Sequence, residues 1–210
     1  MTKRCTNDPV VNAAGLEPND SELPPVTPGR RTLGPWVGRL DRAADELLEH
    51  ARGHRLPDRV FLVASHLGDF SVIWHVTNLA RGLTSPRRAR QIPALALALG
   101  AESLIVNQGL KRLFGRPRPT LAGDPRLPVR RPSTSAFPSG HASAAAFTAT
   151  LLTSWDGRLT APLWWTMGGV VATSRAYVRI HHASDVIAGM AVGAGLGLAA
   201  RNVLRRLGVR

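Results

Sequence analysis

Three short blocks of this chain gather its reactive side chains: Lys111 and Arg118 followed by Pro119; Pro138-Ser139-Gly140-His141; and Ser174-Arg175 followed by His181 and Asp185. Together they hold three cations, two imidazoles, a hydroxyl and one carboxylate, with no cysteine. That inventory suits holding and attacking a phosphoryl group. Proline at positions 117 and 119 ends a helical run and stiffens the loop beyond it. Lys111 then stands on the last helical turn and Arg118 just past it, so that an ammonium and a forked guanidinium converge on one anion.

In the second block Ser139 is placed as the N-cap of an alanine-rich helix. The first amides of that helix form an anion site, with Gly140 allowing close approach and His141 projecting from the first turn. In the third block, helix over 181–201 would put Asp185 one turn from His181, on a face continued by Gly189, Gly193 and Gly197. A carboxylate accepting from one ring nitrogen leaves the other free to attack phosphorus, and Arg175 adds a third cation. Taken singly, the blocks also read as a basic helix end at a membrane surface, a cap with an incidental histidine, and a buried His–Asp bond between helices. His182 beside His181 raises a metal site, which is disfavoured because the carboxylates near the blocks in sequence are Asp124 and Asp185.

The surrounding chain must bring these blocks together. Its 210 residues suit one domain, and a net charge of +13 asks for an anionic partner: nucleic acid, anionic lipid or a phosphorylated substrate. The one cysteine, Cys5, excludes an intrachain disulfide and a cysteine-based metal cluster. Residues 1–35 are polar and rich in proline and read as a disordered tail, with no apolar run of the kind a secretory signal needs between Met1 and Arg31. From Trp36 to His50 the apolar residues recur at helical spacing between charges. Residues 36–58 therefore read as an amphipathic helix and linker, lying on a membrane interface or on the face of a soluble bundle.

Five apolar-leaning stretches follow, at about 60–80, 92–113, 141–155, 161–178 and 184–203. None is a clean run of the roughly 20 apolar residues that a membrane-spanning helix needs, and mean hydropathy is only −0.04. The glycines tip the balance. Gly189, Gly193 and Gly197 make a small-xxx-small groove typical of helix contacts in membranes, whereas in a soluble helix each mainly costs about 1 kcal/mol. Trp155, Trp164 and Trp165 lie at stretch ends, where an interfacial belt would place them. The expected fold is all-α: a membrane bundle of about five spanning helices in residues 59–210, preceded by the amphipathic helix.

Jointly the three blocks resemble the signature of the type 2 phosphatidic acid phosphatase superfamily. These lipid phosphate phosphatases include bacterial undecaprenyl-diphosphate phosphatases. All eleven specified positions match in order, and the likeness extends over about residues 60–203, including Ser65-His66-Leu67-Gly68-Asp69. The resemblance implies a helical membrane bundle with its site at one membrane face. It implies His181 as the nucleophile that forms a phosphohistidine, Asp185 as its orienting partner, and His141 as general acid and then base. Lys111, Arg118, Ser139, Gly140 and Arg175 would bind phosphate, with no metal and no cofactor.

Family members commonly have six spans, and here the polar tail and the 36–50 helix replace the first. Discounting the three phosphate-binding cations, the remaining arginines favour the motif face outside under the positive-inside rule. The implied partners are a lipid-phosphate substrate and membrane lipids, not nucleic acid, and the implied place is the cell membrane. Two other classes remain in view: a haloperoxidase-like enzyme holding vanadate in the same pocket, and a non-catalytic basic protein binding lipid or nucleic acid.

Overall fold

A computed structural model describes residues 33–120, 123–130 and 134–209, and every regular element among them is helical. Nearly all of the expected tail, residues 1–32, lies outside the described residues. Helix α1 (Pro35–Glu49) buries Val37 and Asp41 on one face, while Trp36, Leu40 and Leu47 on a second face are exposed.

The apolar run expected at 60–80 is two helices, α2 (Arg55–Gly68) and α3 (Val72–Gly82), joined by one tight turn at Asp69–Ser71. Phe70 and Ser71 there adopt left-handed φ values of 52° and 59°. Such values are uncommon outside glycine and redirect the chain within a turn. After α4 (Pro86–Ala89), α5 (Gln91–Ser103) continues through a π-helical stretch, Leu104–Leu110, into α6 (Lys111–Leu113). Phe114 is extended, so the helix ends just after Lys111 and ahead of the two prolines, as their chemistry predicts.

Helix α7 (Gly140–Asp156) is the centre of the bundle, with residues 142–149 all buried. Helix α8 (Ala161–Tyr177) runs back against it, with Gly168 facing Ala145 and Ala149. Helix α9 (Ala183–Arg206) then packs parallel to α7 through the glycine groove. A Cβ on Gly189 would collide with the carbonyl of Ser139, and one on Gly193 with that of Ser143. One on Gly197 would meet the Phe147 carbonyl oxygen at 3.0 Å. The four-residue spacing of the glycines thus matches the four-residue spacing of the opposing carbonyls, which is why no larger residue fits.

Three helical segments are long and apolar enough to cross a membrane: Arg55–Gly82, Pro86–Leu113 and Ala183–Arg206. α7 and α8 have 17 residues each. Leu56, Val60, Val63, Leu67, Leu97 and Leu104 point outward, a surface suited to lipid rather than water.

One local expectation is corrected. α9 begins at Ala183, so His181 is not on that helix but in the turn after α8. The amides of Ile180 and His181 both donate to the carbonyl of Arg175, at 3.2 and 3.1 Å, and Arg179 reverses the chain at φ 56°. Helix α9 starts where the Asp185 carboxylate accepts from the His182 amide at 2.8 Å, a capping interaction that fixes the first turn two residues later than spacing alone suggests.

Candidate active site

All eight residues singled out from the sequence lie at one end of the bundle, the end where α7 begins. Lys111, on α6, is buried; a Cβ on Gly140 would lie 3.5 Å from its Nζ, so the ammonium faces the start of α7. Lys111 in turn feels Arg118 and Arg175 as like charges. Arg118 Nη1 donates to the carbonyl of Ile180 at 2.7 Å and stands 3.1 Å from His181 Nε2, while Nη2 donates to the Thr134 carbonyl at 3.0 Å. These backbone anchors fix the guanidinium in front of the imidazole.

Ser139 occupies the position before α7, but its hydroxyl does not cap the helix. Its amide donates instead to the Asp185 carbonyl at 3.0 Å, tying the starts of α7 and α9 together. Among the described residues the hydroxyl oxygen is buried without a hydrogen-bond partner, as are Nε and Nη2 of Arg175, while Nδ1 of His181, also without one, faces Asp185. Buried polar atoms are almost always paired. Unpaired donors of this kind on Ser139 and Arg175, at the end of the bundle that holds Lys111 and Arg118, suit the oxygens of a phosphate.

Asp185 is fully buried, and its Oδ2 lies 3.6 Å from His181 Nδ1. That is longer than a hydrogen bond, so the carboxylate faces the ring and is held by other groups. Its Oδ1 accepts from Arg116 Nη1 at 2.5 Å. Burial, with Arg118 alongside, pushes the His181 imidazole down to about 3 against the pull of Asp185, and the ring is neutral at pH 7. A neutral imidazole with Nε2 toward the cations is a competent nucleophile.

Three residues that spacing did not reveal complete the end of the bundle. Asp69, in the α2–α3 turn, meets His141 Nε2 at 3.0 Å and lies 3.8 Å from Arg175 Nη1. Ser65 receives Arg175 Nη1, at 2.5 Å on its hydroxyl. Arg116 holds Asp185. A charge inside an apolar run is a functional signal in its own right, and Asp69 carried that signal in the sequence. Arg116, between Gly115 and Pro117, carried none. Among the described residues no group of three histidine, cysteine, aspartate or glutamate side chains is arranged to hold a metal.

The family model for the PAP2 superfamily matches residues 92–208. The decaprenylphosphoryl-5-phosphoribose phosphatase of Mycobacterium tuberculosis is 35% identical over 137 residues, 63% of this chain and 72% of its own length. In fold, the chain is similar to a transmembrane PAP2-type phosphatidylglycerolphosphate phosphatase from Bacillus subtilis, with TM-score 0.65 and 24% identity over 83% of this chain and 89% of that one. It is also similar to LpxE of Aquifex aeolicus, with TM-score 0.64 and 21% identity over 82% of this chain and 99% of that one. The three blocks, the helical bundle that gathers them and these likenesses lead to one conclusion: the chain belongs to the PAP2 superfamily and is a membrane phosphatase of that family.

Proposed function

We propose that the protein hydrolyses a lipid phosphate or a polyprenyl phosphate or diphosphate without a metal, through a phosphohistidine on His181. The observation that carries this reading is the placement of His181 Nε2 beside Arg118 Nη1 at 3.1 Å, within the ring of Lys111, Arg118, Arg175 and the unpartnered Ser139 hydroxyl. Nε2 attacks phosphorus and forms the P–N bond as the P–O bond to the lipid breaks. The cations and the Gly140 amide take the charge on the non-bridging oxygens. His141, held at Nε2 by Asp69, delivers a proton to the leaving oxygen and then removes one from the water that cleaves the P–N bond. Asp185 stabilises the ring while it is positively charged. The relative that acts on a decaprenylphosphoryl-5-phosphoribose makes polyprenyl-linked phosphates the first substrates to try.

The site opens to the outer face of a multi-pass membrane protein. Arg81, Arg87, Arg88, Arg90, Arg158, Arg201, Arg205 and Arg206 gather at the opposite, inner end, as positive-inside topology requires. Residues 36–58 form an interfacial helix and linker, with Trp36, Leu40 and Leu47 seated in the headgroup region, and residues 59–210 form the embedded catalytic domain. The excess positive charge meets lipid phosphate rather than nucleic acid.

The test is phosphate release in detergent with EDTA present, across phosphatidic acid, phosphatidylglycerophosphate, undecaprenyl diphosphate and a polyprenyl-phosphosugar phosphate. Activity on at least one is expected, and a loss of about 10⁴-fold or more in His181→Ala, whose only nucleophile is gone. Near-normal turnover by a folded His181→Ala protein would dismiss the mechanism.

A further inference from the structure

We propose that Arg116 and Asp41, neither of them among the specified positions of the three blocks, are positioning residues that hold the Asp185 carboxylate against the back of the His181 ring; this rests on the phosphohistidine reading above. The segment from Gly115 to Pro119 sends its two arginines to opposite sides of one unit. Arg118 reaches the front, at His181 Nε2, where phosphate would be attacked. Arg116 reaches the rear, where its Nη1 binds Asp185 Oδ1 at 2.5 Å and the Ser184 hydroxyl at 2.7 Å.

The second half of the same guanidinium is held by Asp41, whose Oδ2 accepts from Arg116 Nη2 at 2.6 Å. Asp41 also accepts from the amide and the hydroxyl of Ser184, at 2.8 and 2.9 Å, and so satisfies one of the orphan amides at the start of α9. The carboxylate of Asp185 is thereby clamped on two sides. Oδ1 belongs to Arg116, and Oδ2, bonded to the His182 amide, is the oxygen turned toward His181 Nδ1.

A buried carboxylate left alone would rotate or pick up a proton; bound to a forked cation it stays ionised and oriented. The need for it arises when Nε2 is bonded to phosphorus and the ring carries charge. Its loss therefore raises the barrier to the chemical step more than it weakens ground-state binding. Asp41 comes from α1, the helix assigned to the membrane interface, so this chain recruits an element outside the residues of the family match to orient its candidate nucleophile.

The experiment uses the full chain in detergent micelles, with whichever lipid of the panel above the wild type hydrolyses and with inorganic phosphate as a competitive inhibitor. Arg116→Gln and Asp41→Asn are each expected to lower kcat by about 10- to 100-fold, the cost of losing a group that orients a reactive side chain. KM and the inhibition constant for phosphate should stay within about threefold. Arg116→Lys and Asp41→Glu should recover part of kcat. The double variant Arg116→Gln/Asp41→Asn should be no more than about twofold worse than the poorer single, because both act through one carboxylate.

Arg118→Gln is the contrast, weakening phosphate inhibition. Normalising kcat to the fraction of protein that stays folded and monodisperse in detergent removes losses from misfolding. A normalised kcat within about twofold of wild type in both single variants, or a loss that appears in KM and phosphate inhibition instead, would overturn the proposal. Full activity of His181→Ala would overturn the underlying reading, and the two failures are thus distinguishable.

Discussion

Two buried arginines, Arg175 on α8 at the site end of the bundle and Arg81 on α3 at the opposite end, show how one residue type is used in opposite ways. Arg81 clasps the Asp156 carboxylate through Nε at 2.6 Å and Nη2 at 2.8 Å, donates to Gln91 at 2.5 Å and stacks over Trp155. Arg175 is equally buried, yet among the described residues its hydrogen bonds come from Nη1 alone, to Ser65, and the Asp69 carboxylate stands 3.8 Å away. An arginine that holds helices together is supplied with a carboxylate. One whose Nε and Nη2 lack acceptors among the described residues has donors to offer an anion from outside the protein, the role proposed above for Arg175.

The comparison is broken most directly by exchanging the outcomes. Arg175→Ala should lower kcat/KM by about 10²- to 10³-fold, the usual effect of deleting one group that stabilises transition-state charge, while the thermal midpoint in detergent moves little. Asp156→Ala should do the reverse. Leaving Arg81 as an uncompensated buried charge costs about 3–5 kcal/mol, read as a fall in the midpoint, with kcat per folded molecule within a few-fold of wild type. An Arg175 variant that mainly unfolds the protein, or an Asp156 variant that stays stable and loses chemistry, would remove the distinction.

A smaller effect is expected midway between the two ends, where α7 and α9 touch backbone to backbone. Gly193→Ala sets a methyl against the Ser143 carbonyl, and the helices must separate to admit it. Overpacking of this kind costs about 1–3 kcal/mol. Because Gly189 packs against Ser139 in the same groove, the separation would spread to the site end and lower activity modestly as well. Gly195→Ala, where nothing lies within 4 Å, is the control and should not lower stability, since an unobstructed alanine is the better helix former.

The place of the candidate site was legible because it rests on residue types at fixed local spacing: Lys111, Arg118, Ser139, Gly140, His141, Arg175, His181 and Asp185 all gather at one end of the bundle. The glycine groove was legible for the same reason, since a repeat of four residues survives translation into a helix face. What stayed hidden is long-range or depends on a break in periodicity. The turn at Asp69–Ser71 interrupts an apolar run without a proline, and although Gly68, Asp69 and Ser71 are turn formers, the apolar residues resume at once on the far side, so two helices looked like one. Arg116 was masked by its neighbours, and Asp41 by its place in an ordinary amphipathic pattern, where a charge reads as solvated. The start of α9 was misplaced because spacing is indifferent to the Asp185 cap that sets it.

Asp69 sharpens the comparison further, because among the described residues it is the carboxylate that stands within 4 Å of Arg175 and yet it meets a different partner more closely. At 3.0 Å from His141 Nε2 and 3.8 Å from Arg175 Nη1, it orients the imidazole and only biases the guanidinium. Asp69→Asn preserves shape and the capacity to hydrogen-bond but removes the charge. If orientation of His141 is its main task, kcat should fall by about 10-fold, at the low end of what a positioned acid or base contributes. The fall should be largest for substrates with poorly leaving alkoxides, which need the proton most, and small for an aryl phosphate. If instead Asp69 chiefly neutralises Arg175, Asp69→Asn would tighten phosphate binding and spare kcat for both kinds of substrate, because an arginine relieved of its nearest carboxylate attracts anions more strongly. The ratio of kcat between alkyl and aryl phosphates therefore separates an aspartate working through His141 from one working on Arg175.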